Sequence, residues 1–276
     1  MGDIEVRELR TLLPAVEAAV REVGARLAEQ RPAEQRPAEP CPEFGLAGAM
    51  ARFAAFDDPA AAELRSRLGV LHQEAGLLED EFDDAVPAEG EWWLCDAMDG
   101  AVQFLLGLPQ WAVTATLVRD GAPVLAVVHA PQLGARTYRA VRGGGAELDG
   151  RPITPVEREL AAAVAGTGQP PGVAADPVAL RRAGASLSAV AGAVLAVRNL
   201  GPTSLQVAQV GSGHLGLFWE FGADAANLLP GALIAAEAGA TVTDAAGAPW
   251  TPAADAFLAA APGLHARALP LLTDLD

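Results

Sequence analysis

The side chains with the clearest chemical potential are two aspartates, Asp96 and Asp99, at the end of a short apolar segment that begins at Trp92. Two carboxylates this close can bind one cation by themselves with modest affinity, because oxygen ligands suit hard divalent ions such as Mg²⁺. The alternative is structural, since Asp is a favoured residue at the start of a helix. The segment therefore predicts a buried strand ending in carboxylates that serve either a ligand or the next helix.

Other candidate groups lie elsewhere in the chain. Asp80 and Glu81 belong to an acidic run from Glu79 to Asp84, which is as typical of a solvated loop as of a ligand site. Glu220 follows Trp219 at a predicted strand end, and we expect it to face a pocket. His129 also ends a predicted strand, where it could act as an acid or base, although a hydrogen-bonded core histidine is the simpler interpretation.

Composition limits the classes of function. Of the 276 residues, 51% are hydrophobic, and the formal net charge is −16 with no lysine at all. Because there is no basic stripe, nucleic-acid binding is excluded, and the absence of lysine excludes Schiff-base and P-loop chemistry. No apolar run is long enough to span a membrane, and the charged N-terminus is unlike a secretory signal, which predicts a cytoplasmic protein. The arginine-only, alanine-rich usage is typical of a GC-rich bacterial genome.

Hydrophobic periodicity divides the chain into helices and short strands. It predicts an amphipathic helix over residues 4–29, a proline-rich loop over Arg31–Pro40, and a second helix from about Pro59 to Leu68. From Trp92 onward the period changes, and two β-rich runs flank Arg119–Ala122, a hairpin signal. Antiparallel hairpins interleaved with helices predict an α+β fold with layered sheets and not a doubly wound Rossmann sheet.

Three motifs in this order resemble those of the inositol monophosphatases. Asp96–Phe104 corresponds to the family signature Asp-Pro-Ile-Asp-Gly-Thr-Thr-Asn-Phe. It lies within Trp92–Ile153, a segment that resembles the family throughout. Trp219–Gly231 corresponds to the second signature, Trp-Glu-x-Gly-x-x-x-Trp-Asp-x-Ala-Ala-Gly. Glu237–Asp244 corresponds to the segment that follows this signature in the family. Order and spacing agree from about residue 77 to about residue 260, so the chain is identified as a member of the inositol monophosphatase superfamily.

The resemblance implies a fold, a cofactor and a set of site residues. The fold would be the layered α/β/α/β/α sandwich of inositol monophosphatase and fructose-1,6-bisphosphatase, as one unit with two lobes over about 1–155 and 156–276. The cofactor would be Mg²⁺, the substrate a small polar or phosphorylated metabolite, and the assembly a homodimer. The metal ligands would be Asp80, Asp96, Asp99 and Asn227. The substrate-binding residues would be Gly100, Ala101, Gly201, Thr203 and Glu220, and the catalytic groups Asp96, Asp99 and Glu220.

This sequence departs from the family pattern where the chemistry is done. Ala101 replaces the threonine that orients the attacking water, and Asn227 replaces an aspartate that binds a metal. Asp80 stands where the family has a longer glutamate, although Mg²⁺ tolerates little geometric error. The family's Thr-x-x-Asp element has no clean counterpart, with Asp57 and Asp58 near its place but no threonine. Together these changes weaken the metal site and remove the group that positions water.

Three functions follow. In the first, which we favour, the scaffold and pocket are kept while the metal-dependent phosphatase chemistry is degenerate or repurposed for a small polar metabolite, for example in specialised biosynthesis. In the second, the protein is an active Mg²⁺-dependent phosphatase of a sugar or polyol phosphate. In the third, it is a non-catalytic binding or subunit protein. The sequence does not identify the substrate.

Overall fold

The structure is a computed structural model that describes residues 3–31, 45–78, 86–273 and 275. Within these ranges there are seven α-helices: α1 (Asp3–Gln30), α2 (Leu46–Leu71), α3 (Ala101–Leu105), α4 (Pro177–Ala191), α5 (Thr203–Gly211), α6 (Ala225–Glu237) and α7 (Pro262–Ala268). Three short 3₁₀ turns occupy Leu160–Ala162, Val173–Ala175 and Leu269–Leu271. No helix among the described residues is long and apolar enough to cross a membrane.

The strands form two sheets. The first sheet has the strands in chain order: β1 (Gly76–Leu77), β2 (Glu91–Asp99), β3 (Ala112–Arg119), β4 (Ala122–Ala130), β5 (Arg136–Val141), β6 (Gly145–Leu148) and β7 (Arg151–Pro152). It is antiparallel except for the β1–β2 pair. The second sheet is built from β8 (Val164–Thr167), β9 (Ala196–Arg198), β10 (Leu217–Phe221), β11 (Thr241–Thr243) and β12 (Ala256–Ala260). Its order is β11-β12-β10-β8-β9, with β8 parallel to both of its neighbours.

Apolar contacts stack these elements in five layers. The outer helices α1 and α2 pack on one face of the first sheet, where Val16, Leu64 and Trp93 are fully buried. The opposite face of that sheet packs on α5 and α6, which also pack on the second sheet. Helices α4 and α7 cover the far side of the second sheet through Val190 and Leu264. The predicted α/β/α/β/α sandwich is therefore confirmed.

The predicted hairpin is also confirmed, because β3 and β4 pair through a turn at Asp120 and Gly121. Both turn residues have positive φ, 49° and 74°, as a two-residue hairpin of this hand requires. The helix over 4–29 corresponds to α1. The proline-rich segment Arg31–Pro40 lies outside the described residues except for Arg31, whose guanidinium donates to the backbone oxygens of Phe104 and Leu108.

The predicted start of the second helix is wrong. Helix α2 begins at Leu46 and places Pro59 in its interior, although proline removes a helical hydrogen bond. The apolar stripe continues through the proline, since Phe53, Phe56 and Leu64 all contribute to the core beneath the first sheet. Packing of this stripe outweighs the local cost of proline, because most of the stability of a protein helix comes from its buried face.

Candidate active site

A β-bulge brings the two aspartates of the first motif to the same side of β2. In a regular strand, residues three apart point to opposite faces of the sheet. The register of β2 against β3 shifts between Asp96, opposite Thr114, and Asp99, opposite Ala112, so one extra residue lies on β2. Such a bulge re-aims side chains. As a result Asp96 and Asp99 both line one cavity of about 600 Å³.

Backbone and hydroxyl donors hold the two carboxylates. Asp96 Oδ1 accepts a hydrogen bond from the Met98 N–H at 2.6 Å. Asp99 is buried, and its Oδ2 accepts from the hydroxyl of Ser204, which is fully buried at the start of α5. These bonds fix the orientation of the carboxylates, but they also occupy lone pairs that a cation would need.

Glycine is required at the turn from β2 into α3. Gly100 has φ = 98°, a conformation that side chains rarely adopt. A Cβ there would lie 3.0 Å from the carbonyl oxygen of Gln110 and 3.2 Å from the Cα of Trp111. Ala101 follows as the first residue of α3, and both Gly100 and Ala101 line the cavity.

The N-terminal ends of α5 and α6 close the cavity from the middle layer. Gly201 and Thr203 line it at the start of α5, and Gln103 Nε2 donates to the Leu200 oxygen at 3.0 Å, which ties this loop to α3. Asn227 lines it near the start of α6 and donates its amide to Asp224 Oδ1 at 2.6 Å. Segments of the two motifs that are far apart in the sequence therefore meet at this cavity.

Glu220 lies behind the cavity wall. Its side chain sits on β10 and is only 2% exposed, with Asp224 and Thr203 as polar neighbours. Burial, followed by the nearby charge of Asp224, raises the pKa of Glu220 well above its ordinary value. A hydrogen bond from Thr203 acts in the opposite direction. Two carboxyl groups in contact in a buried site hold a proton more firmly than either would alone.

Several contributors to this site were not predicted. Asp224, Ser204, Gln206 and Gly168 lie on the cavity wall or in contact with its carboxyl groups. Asp224 lies four residues after Glu220, and the second motif could have drawn attention to it as a second acid there. The others carry no local signal, because their partners come from distant parts of the chain.

His129 lies in the core. Its Nδ1 is 2.9 Å from Thr137 Oγ1, its side chain is 3% exposed, and burial lowers its pKa to about 4. This supports the interpretation as a hydrogen-bonded core histidine. Asp57, on α2, has a pKa raised to about 6, first by burial and then by Asp58.

A Mg²⁺ site requires about six oxygen ligands in near-octahedral geometry. In the part of the chain that the structure describes, no group of three or more His, Cys, Asp or Glu side chains is arranged to hold a metal ion. Asp80 and Glu81 lie outside the described residues. Asp96 and Asp99 with the neutral Asn227 do not by themselves fit a complete Mg²⁺ site.

Comparison with known proteins decides the family. Residues 54–275 match the sequence model of the Inositol monophosphatase family. The chain belongs to the inositol monophosphatase family. The inositol-1-monophosphatase of Rhizobium meliloti is 35% identical over 191 residues, which cover 67% of this chain and 68% of that protein. Members of this family generally depend on Mg²⁺ and act on small phosphorylated metabolites.

Solved structures of the family agree with the fold. The inositol monophosphatase from Anabaena superimposes with a TM-score of 0.80 at 20% identity and covers 98% of both chains. Mycobacterium tuberculosis SuhB superimposes with a TM-score of 0.74 at 26% identity, over 97% of this chain and 98% of that one. The family fold is therefore present over nearly the whole length.

Proposed function

We propose that this chain binds a small polar or phosphorylated metabolite in the cavity beside Asp96 and Asp99, and that its metal-dependent phosphatase chemistry is degenerate or repurposed. The observation that carries the proposal is the amide of Asn227. This side chain lines the cavity where the family has a metal-binding aspartate, and it is turned onto Asp224 by a 2.6 Å hydrogen bond.

The chemistry of phosphate ester hydrolysis explains why this matters. The reaction requires neutralised phosphoryl oxygens and a positioned, activated water. Asn227 carries no charge, and its hydrogen bond to Asp224 uses its amide as a donor within the protein. Ala101 presents a methyl group where a hydroxyl would orient water. The remaining carboxylates, Asp96 and Asp99, bind and orient polar groups, while Met50 and Phe53 form an apolar part of the wall.

Calorimetric titration of Mg²⁺ and Mn²⁺ into metal-free protein, with and without inorganic phosphate, tests the proposal. We expect no saturable binding up to tens of millimolar, which is outside the range of ordinary protein cation sites. Binding at millimolar affinity or better, strengthened by phosphate and lost in Asp96→Ala, would overturn it.

Restoring the two missing groups provides the complementary test. The double variant Ala101→Thr with Asn227→Asp should raise metal-dependent hydrolysis of inositol 1-phosphate by about 10²-fold, since an oriented water and a stabilising charge contribute at least that much. The matched control is Ala101→Val with Asn227→Asp, because valine has the shape of threonine without its hydroxyl. An equal rate in both double variants, or no gain in a correctly folded protein, would contradict the roles of these positions.

A second candidate is an active Mg²⁺-dependent phosphatase of a sugar or polyol phosphate. It is favoured by the 35% identity to a protein named inositol-1-monophosphatase and by the joint position of Asp96 and Asp99 at the cavity. Under this function the unmodified chain hydrolyses polyol phosphates only when Mg²⁺ is added, and Asp99→Asn abolishes that activity. A screen of phosphorylated polyols with and without Mg²⁺ separates the two candidates.

We also propose that the protein acts in the cytoplasm as a homodimer, without nucleic-acid or membrane partners. A formal net charge of −16 supports the exclusion of nucleic acid. The two lobes, about 1–155 and 156–276, are supported by the separation of the sheets, since the first lies within residues 76–152 and the second within 164–260. Light scattering after size-exclusion chromatography would measure the oligomeric state.

A further inference from the structure

The candidate cavity has an apolar side that the proposed phosphate chemistry does not use. Helix α2 contributes Met50 and Phe53 to the wall, and α3 contributes Val102 and Leu105. In each helix the two residues are three positions apart, so they lie on one face of that helix. Two helices thus each present an apolar face to the same cavity.

These two apolar faces belong to helices that pack on each other. The rings of Phe56 on α2 and Phe104 on α3 meet edge to face, with centroids 5.4 Å apart. Phe53 and Leu105 both pack against the core under the first sheet, with part of each side chain left accessible. The apolar side of the cavity is therefore a wall held in place by the core.

Met50 and Val102 complete this wall and are accessible. Met50 is 53% exposed and Val102 is 64% exposed. Scattered exposed apolar side chains are ordinary, but these two line one concave site of about 600 Å³. Pockets for small molecules measure about 300–1,000 Å³ and combine apolar walls with a few polar groups. This cavity has the size and the mixed lining of such a pocket.

The acidic side of the cavity disfavours an anion. Among the described residues that line it are the acids Asp96, Asp99 and Asp224, with no arginine or histidine, and the chain contains no lysine. The proposed function leaves no bound cation to offset these charges. A phosphoryl group would therefore meet only negative side chains, and like charges repel more strongly away from bulk water.

The remaining polar lining suits hydroxyl groups. Gln169 and Asn199 are exposed amides on the wall, and Thr203 adds a hydroxyl at the start of α5. An amide side chain both donates and accepts hydrogen bonds, and carboxylates accept them. A ring with several hydroxyls supplies both kinds of partner without adding charge.

We propose that the cavity binds an uncharged hydroxylated ring that carries an apolar substituent, and that this substituent packs against Met50, Phe53, Val102 and Leu105. The hydroxyls face the acids and amides, and the substituent displaces water from the apolar wall. The inference rests on the proposed function in that it takes the cavity as the binding site for a small polar molecule, and it specifies the class of that molecule.

Calorimetric titration at pH 7 with EDTA present tests both parts of the inference. Phenyl β-glucoside and methyl β-glucoside share the ring and the linkage and differ in the size of the apolar group. We expect the phenyl compound to bind about tenfold or more tightly, because burying roughly 60 Å² of apolar surface is worth that much in affinity. Glucose and glucose 6-phosphate form the second pair, and glucose should bind at least as tightly.

Variants of the accessible apolar residues locate the effect. Met50→Gln with Val102→Thr replaces two apolar side chains by polar ones of similar shape and should reduce the phenyl preference to less than about threefold. The matched control is Leu180→Gln on α4 with Val70→Thr on α2, since these residues are similarly exposed and do not line the cavity. The control should keep the full preference. Melting temperatures show whether each protein is folded.

Equal affinity for the phenyl and methyl glucosides overturns the inference. So does a phenyl preference above about threefold that survives Met50→Gln with Val102→Thr, or one that is lost equally in the control. If glucose 6-phosphate binds more tightly than glucose, the inference fails while the proposed binding function stands. If no probe binds up to tens of millimolar, both the inference and the proposed binding function fail.

Discussion

His129 allows the link between core packing and pH to be measured directly. The ring extends from β4 towards α1, and a Cβ added to Gly24 on α1 would lie 2.8 Å from its Cδ2. Its Nδ1 contacts Thr137 Oγ1, which also accepts a hydrogen bond from Arg21. Burial, and then the positive charge of Arg21, lowers the pKa of His129 from 6.5 to about 4. A hydrogen bond with the backbone of Arg136, and then the negative charge of Asp149, raise the pKa of His129 by smaller amounts.

The sign of the effect follows from the depressed pKa. The unfolded chain takes up a proton below pH 6.5, whereas the folded chain resists it until about pH 4. Stability is therefore complete above pH 6.5 and is lost as the pH falls towards 4. Proton linkage predicts that the free energy of unfolding is lower by about 2 kcal/mol at pH 5 and by about 3 kcal/mol at pH 4 than at pH 8.

Urea unfolding of the wild type and of His129→Gln at pH 8, 7, 6 and 5 would measure this loss. The variant is expected to be less stable at pH 8, because the substitution disturbs a buried, packed ring. Because glutamine does not titrate, its free energy of unfolding should fall by about 2 kcal/mol less than that of the wild type between pH 8 and pH 5. Direct titration of the ring protons by NMR provides an independent value. Parallel pH dependence in the two proteins, or a ring pKa near 6.5, would refute the reasoning.

Three further predictions concern the helices around the cavity. Asp57→Asn should stabilise the fold by about 1 kcal/mol at pH 8 and have little effect at pH 4, because the pKa of Asp57 is raised to about 6 and its ionised form is the costly one; equal changes in unfolding free energy at both pH values would contradict this. Ser204→Ala should cost about 1–3 kcal/mol in a thermal melt, because buried Asp99 loses a hydroxyl donor; an unchanged melting temperature would show that the bond is dispensable. Gly100→Ala should destabilise by about 1–3 kcal/mol owing to its positive φ, whereas Gly184→Ala in the interior of α4 should be neutral or stabilising, and the same response in both would remove the conformational argument.

Most of the fold follows from patterns that are local in the sequence. The hairpin at Asp120 and Gly121, the helix α1 and the final strands are all specified by residues within a few positions of one another. Pro59 misled the prediction of α2 because the proline rule is local, while the packing of Phe53 and Phe56 that keeps the helix continuous is tertiary. The same stripe of apolar residues is visible in the sequence on both sides of the proline.

The candidate site was only partly predictable. Motif order placed Asp96, Asp99, Thr203 and Asn227 in a shared site, and the structure brings all four to one cavity. The bulge that turns both aspartates to the same side has no sequence signal, since it depends on the register of β2 against β3. Contacts such as Ser204 with Asp99 join segments more than a hundred residues apart, and no spacing rule reaches that far.

The middle layer of the sandwich has a consequence for how such a protein changes over evolutionary time. The bodies of α5 and α6 are buried between the two sheets and hold them together, whereas Thr203 and Asn227 at their ends face the cavity. Substitutions at Thr203 and Asn227 alter what the cavity binds while the apolar contacts between these helices and the two sheets stay the same. Selection on folding and selection on chemistry therefore act on separate residues of the same two helices, so the lineage can explore new ligands while its architecture stays constant.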